Sequence, residues 1–91
     1  MGKTVAHMLL ERRIVEVLRE EPSGITALGL LGRLAERYGM DYVSDFKYRV
    51  HAERNFAAVN EALTDLTEAG KVASASNGVE TTYHLLRRGN A

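Results

Sequence analysis

Apolar residues recur every three or four positions along three stretches of the chain, and that spacing predicts three helices. The first helix is expected from Lys3 to about Glu20, with Leu10, Ile14, Val17 and Leu18 as its core stripe. Val5, Met8 and Val15 point away from that stripe, with Arg12 and Arg19 between and beyond them. A helix with two apolar faces lies between two layers or touches a partner. This second face, with Arg12 among its apolar residues, fits a homodimer interface, or an N-terminus folded back over its own domain. Glu20 and Glu21 are poorly placed at a helix C-terminus, where the dipole prefers cations. Pro22 and Ser23-Gly24 then stop the helix and turn the chain.

Ile25 begins a short extended piece, and Thr26 is an N-cap for a second helix ending at Gly39. Leu28, Leu31 and Ala35 form one apolar row there, and Leu30, Leu34 and Tyr38 form the next. Gly29 and Gly32 each weaken a helix interior by about 1 kcal/mol relative to Ala, and close approach of another helix would compensate. Tyr48, Ala52, Phe56, Val59, Leu63 and Leu66 keep one helical phase, so the third helix starts near Asp45 or near Asn55. Ser44 or Asp45 would cap the earlier start, with Phe46 and Val50 on its other side. Gly70 ends this helix, and two short extended runs follow around Asn77-Gly78. That dipeptide suits the positive φ angles of a two-residue hairpin turn. Val72, Tyr83 and Leu85 would face the core.

The order helix, short strand, helix, helix, β-hairpin resembles the winged helix-turn-helix superfamily. "RIVEVLREEPSGIT" is similar to its first helix and the turn into its second. "VNEALTDLTEAGKV" is similar to its third helix and the start of the wing, and "TYHLL" to the returning wing strand. The resemblance spans nearly the whole chain and rests on a packing pattern. It implies an α+β, mainly α fold: three helices plus a C-terminal β-hairpin wing, in one domain spanning 1–91. An extended segment or a helix extension would fill the stretch from Gly39 to Asn55, which is longer than the superfamily's usual turn. The resemblance further implies a small DNA-binding protein, a transcriptional regulator acting on double-stranded DNA as a homodimer. The alternative is a winged helix used for protein–protein contact, and a role on RNA is a third reading.

In this superfamily the third helix sets its core stripe against the domain and its opposite face in the major groove. Glu53, Ala57, Asn60 and Thr64 lie on that opposite face. Asn60 can pair with adenine through two hydrogen bonds, Thr64 can meet a base edge or a phosphate, and Ala57 permits close approach. Lys47, Arg49, His51 and Arg54, with Asn55 after them, make the approach to this helix basic. Lys71, Ser76 and Asn77 in the wing, and Arg87 and Arg88 in a frayed tail, are candidates to hold phosphates.

Charge complicates the reading. Twelve bases balance twelve acids over 91 residues, whereas nucleic-acid-binding domains commonly carry a basic excess. Residues 53–70 hold one base and four acids, Glu53, Glu61, Asp65 and Glu68. Residues 71–91 hold three bases and one acid, so positive charge gathers in the wing and tail. An apolar fraction of 45% is that of an ordinary folded domain. The absence of cysteine excludes disulfides and thiolate metal sites.

Other chemistry finds little support. His7, His51 and His84 show no metal spacing with one another, and no cofactor or small-molecule ligand is expected. Gly2-Lys3-Thr4 lacks the upstream glycine and strand of a phosphate loop, and no serine has a nucleophile-elbow context. An enzyme is not expected. Met8-Leu9-Leu10 is too short for a signal peptide or membrane span, and Ala6 stands where an N-myristoylation signal needs Ser or Thr. The expectation is a cytoplasmic protein, associated with the nucleoid if it binds DNA.

Overall fold

A computed structural model describes the backbone of residues 5–38 and 49–86, and the side chains of residues 5, 7–38 and 56–86. Its elements are α1 (Val5–Arg19), β1 (Ile25–Thr26), α2 (Ala27–Tyr38), α3 (Arg49–Glu68), β2 (Val72–Ser76) and β3 (Thr81–Leu85). The fold is α+β and mainly helical. Three helices pack together, and a small antiparallel sheet of order β1-β3-β2 lies beside them. No described helix is long and apolar enough to cross a membrane.

The core follows the helical spacing. Ile14, Val17 and Leu18 from α1 meet Leu30, Leu31 and Leu34 from α2, and Val59, Ala62, Leu63 and Leu66 from α3. Val72 closes the cluster from β2, with Leu10, Phe56, Tyr83 and Leu85 packed half-buried around it. Each such side chain removed from water contributes about 1.5–3 kcal/mol, so this cluster supplies most of the force holding three short helices together. Leu28 departs from its expected core row and is 69% exposed. At 3.6 residues per turn it lies about 200° around the helix from Leu30 and faces solvent, whereas Leu31 of the same row, about 100° from Leu30, is buried.

The ends of the helices have clear local causes. The N–H of Gly29 donates to the Thr26 hydroxyl at 3.0 Å, the N-cap bond expected of that threonine. After α3, the N–H of Lys71 donates to the carbonyl of Leu66 at 2.9 Å, and that of Gly70 to Thr67 at 3.1 Å. This pair of bonds is a Schellman cap, and Gly70 has the positive φ (75°) it requires. The acids at the end of α1 serve α2: Glu20 accepts from Arg37 at 2.6 Å, and Glu21 is paired with Arg33. The hydrogen bond from Arg37 to Glu20 raises the guanidinium pKa above its ordinary value.

Three expectations need correction. Gly29 and Gly32 do not mark close approach by another helix. A Cβ on Gly29 would come within 2.9 Å of Ile25 Cγ1 and 3.1 Å of Thr26 Oγ1, so its neighbour is the strand before its own helix. Gly32 is exposed and would meet nothing within 4 Å, so its cost has no packing compensation. The hairpin turn is also not a two-residue Asn-Gly turn. Ser76 pairs with Thr81, which leaves a loop from Asn77 to Glu80, and only Gly78 in it has positive φ (88°). Asn77 builds that loop by accepting the N–H groups of Val79 at 2.9 Å and Glu80 at 3.0 Å.

The two proposed starts of the third helix are separated as well. It is already helical at Arg49, ahead of the late start at Asn55. Ser44, Asp45, Phe46 and Tyr48, the expected cap at Gly39 and the tail after Leu86 lie outside the described residues, as does the side chain of Val50.

Candidate nucleic-acid interface

The geometry of α3 separates its two faces. Val59, Ala62, Leu63 and Leu66 are buried, and Phe56 is half-buried beside them. Ala57 and Thr64 are exposed and Asn60 is partly so. Their positions, three and four residues apart, make one row along the helix. The expected groove face therefore exists as a small polar strip on the side away from the core. Thr64 donates its hydroxyl hydrogen to the backbone carbonyl of Asn60 at 3.0 Å. In that arrangement Thr64 offers an acceptor, which suits a base amino group better than a phosphate.

The acids of α3 are not equivalent. Glu61 and Glu68 are exposed, but Asp65 Oδ2 lies 2.8 Å from His7 Nε2 of α1. Glu11 Oε2 is 3.3 Å from the same nitrogen. One of the three acids on the helix body is thus drawn into the contact with α1. His7 and Glu11 stand four residues apart on α1, a spacing visible in the sequence. Their meeting with Asp65 depends on how α1 packs against α3, and no local pattern encodes it.

The wing residues have structural duties. Asn77 uses its side-chain oxygen to hold the loop, and Ser76 Oγ accepts the N–H of Gly78 at 3.3 Å. The Asn77 amide N–H2 and the Ser76 hydroxyl hydrogen remain the groups with which either could meet a phosphate. Lys71 is exposed just after α3, where the N–H of Leu86 donates to its carbonyl and ties the two wing strands. Val79 projects from the wing loop and is 91% exposed.

Most of the expected basic side chains lie outside those described. Lys47, Arg87 and Arg88 lie outside the described residues, and the side chains of Arg49, His51, Arg54 and Asn55, with that of Glu53, lie outside the described side chains. Among those described, Arg19, Arg33 and Arg37 are in ion pairs, and Arg13 stacks on the Tyr38 ring at 4.6 Å. Arg33 and Arg37 reach from α2 to the end of α1 and Arg13 from α1 to α2, while Arg19 pairs within α1.

The second face of α1 is smaller than expected. Val5 (78%), Met8 (49%) and Leu9 (43%) are exposed, and Arg12 lies beside them. Val15 is a correction: it is half-buried and packs against the core, because it adjoins Ile14 on the inward side of the helix. Leu9 takes its place in the apolar patch.

No protein-family model matches the chain, and no curated protein matches it. Among solved structures, it is similar to a chain of HOP2, with a TM-score of 0.61 and 22% identity. The match covers 85% of this chain and 98% of that one. That structure is described as giving insight into the DNA recognition and protein interaction domains of HOP2 and its homologous DNA pairing properties. At this identity the similarity is one of fold, and it agrees with the winged-helix arrangement of three helices and a β-hairpin wing.

Proposed function

We propose that this chain is a winged-helix DNA-binding domain that places α3 in the major groove of duplex DNA and acts as a transcriptional regulator. The observation that carries the reading is the row of exposed Ala57 and Thr64 and partly exposed Asn60, on the side of α3 away from its buried stripe. Asp65 of α3 is turned toward His7 of α1, at 2.8 Å. DNA recognition by HOP2, whose fold this chain shares, favours the same reading. The basic approach Lys47, Arg49, His51 and Arg54 and the tail Arg87-Arg88 would supply the backbone contacts.

The test is an anisotropy titration with mixed-sequence duplex at low salt, comparing the wild type with Arg49→Ala/Arg54→Ala. Binding by the wild type and weakening by about tenfold in the variant is the expected result, since two phosphate contacts are removed. The affinity should also depend only moderately on salt, with a log–log slope no steeper than about −5, because the Lys and Arg residues named above would neutralise about five phosphates. A slope near −8 would overturn the picture of sparse phosphate contact. No binding to any duplex at low salt would overturn the DNA reading itself, and tighter binding to competing RNA would redirect it.

The second reading, a protein-interaction module, is favoured by one observation: Val5, Met8 and Leu9 lie exposed together on α1. A homodimer through this patch is compatible with DNA binding, since paired half-sites suit a two-fold protein. Met8→Glu should lower the mass measured by light scattering while leaving the far-UV circular dichroism unchanged. An unchanged mass would remove this face from any self-association.

A further inference from the structure

We infer that His7, Glu11 and Asp65 form a site for a borderline divalent transition-metal ion of the Zn2+ class, clamping α1 to α3. Among the described residues these are the side chains whose ligand atoms converge, all within 4.8 Å of one another. Two carboxylate oxygens approach a single imidazole nitrogen: Asp65 Oδ2 at 2.8 Å and Glu11 Oε2 at 3.3 Å from His7 Nε2. A cation placed between the three atoms serves all of them at once.

The two separations from His7 Nε2 lie close to those around a tetrahedral ion. Bonds of about 2.0–2.2 Å to nitrogen and oxygen place neighbouring ligand atoms roughly 3.3–3.5 Å apart. The His7–Glu11 separation already has that value, and the His7–Asp65 separation needs to open by only about half an ångström. With Nε2 unprotonated, the form that binds metal, the three side chains carry two negative charges, which a divalent ion balances. The enclosure is suitable as well. The side chains of His7 and Glu11 are 15% and 14% exposed and that of Asp65 is 31% exposed, which leaves water access to a fourth position.

The ligand set also selects the ion. One imidazole with two carboxylates suits Zn2+ and its neighbours, whereas Mg2+ and Ca2+ favour shells made of oxygen alone. The ligands come from two elements. Glu11 follows His7 by one helical turn on α1, and Asp65 comes from the C-terminal half of α3. An ion held between them would fix the first turn of α1, which carries the exposed Val5, Met8 and Leu9, against the helix proposed to meet DNA.

The experiment uses the full chain without an affinity tag, stripped with a chelator and titrated with ZnCl2 by calorimetry near neutral pH. Saturable binding of one ion per chain is expected, weakened more than about tenfold in both His7→Gln and Asp65→Asn. Zinc at about one hundred times its Kd should raise Tm by roughly 10 °C, and MgCl2 should leave Tm unchanged. His84→Gln should bind zinc like the wild type, which separates this site from an adventitious histidine. Circular dichroism checks that each variant is folded. If His7→Gln is not, Glu11→Gln and Asp65→Asn decide the matter by the same affinity loss. Absence of saturable binding, undiminished zinc affinity in the folded variants, or an equal response to magnesium would overturn the proposal.

Discussion

Leu34→Ala is expected to destabilise the domain by about 3 kcal/mol, through lost transfer energy and the cavity left behind. Leu34 is fully buried in the cluster where α1, α2 and α3 meet, so no rim is available through which the site could relax into solvent. A chain of this size has a total stability on the order of 5–10 kcal/mol, so the loss removes a large part of it. In urea, with a slope of about 1 kcal/mol per molar, the unfolding midpoint should fall by roughly 3 M. Leu28→Ala on the same helix supplies the contrast. That side chain is 69% exposed, and its truncation should change stability by no more than about 0.5 kcal/mol. Equal effects at the two positions would mean that α2 packs through a different face.

Asn60→Asp is expected to weaken duplex binding by about tenfold or more while leaving the urea midpoint nearly unchanged. The substitution preserves size and shape, and the backbone carbonyl of Asn60 keeps its hydrogen bond from Thr64. What changes is chemistry. A carboxylate can accept hydrogen bonds but not donate them, so the two-bond contact with adenine is lost. The new charge also stands in the row that would face phosphates. Such a contact is worth about 1–3 kcal/mol, which sets the size of the effect. Glu61→Gln should act in the opposite direction and strengthen binding, because it removes an exposed acid one helical turn from Ala57. An unchanged Kd in Asn60→Asp would take α3 out of the groove.

The helical core was legible because it depends on period alone. Ile14, Val17, Leu18, Val59, Leu63 and Leu66 follow a spacing that local sequence fully states, and all are buried. The cap at Thr26 and the stop at Gly70 were legible for the same reason, since each is a contact between near neighbours. What could not be read depends on packing between distant elements. Glu20 and Glu21 looked misplaced until Arg37 and Arg33 were seen to receive them from α2. Asp65 counted as one more acid on a DNA-facing helix until His7 approached it from α1. The Asn77-Gly78 turn was misread for a different reason. The dipeptide permits a two-residue turn, but the Asn77 side chain satisfies two backbone N–H groups in a longer loop. The candidate groove row needed only the knowledge of which face of α3 is buried.

The order of the strands bears on how the chain acquires its shape as it is made. β3 lies between β1 and β2, although it comes last in sequence. On a ribosome, α1, β1 and α2 emerge long before Thr82 and Tyr83, the partners of Thr26 and Ile25. β2 meets β3 across a short loop, so that closure costs little entropy. The closure between β1 and β3 spans most of the domain and costs more, so it depends on the helices having already gathered. Until then β1 is an open edge on a nascent chain. Loop-closure entropy therefore favours completing the sheet on a helical core already gathered, with the shortest strand pairing last.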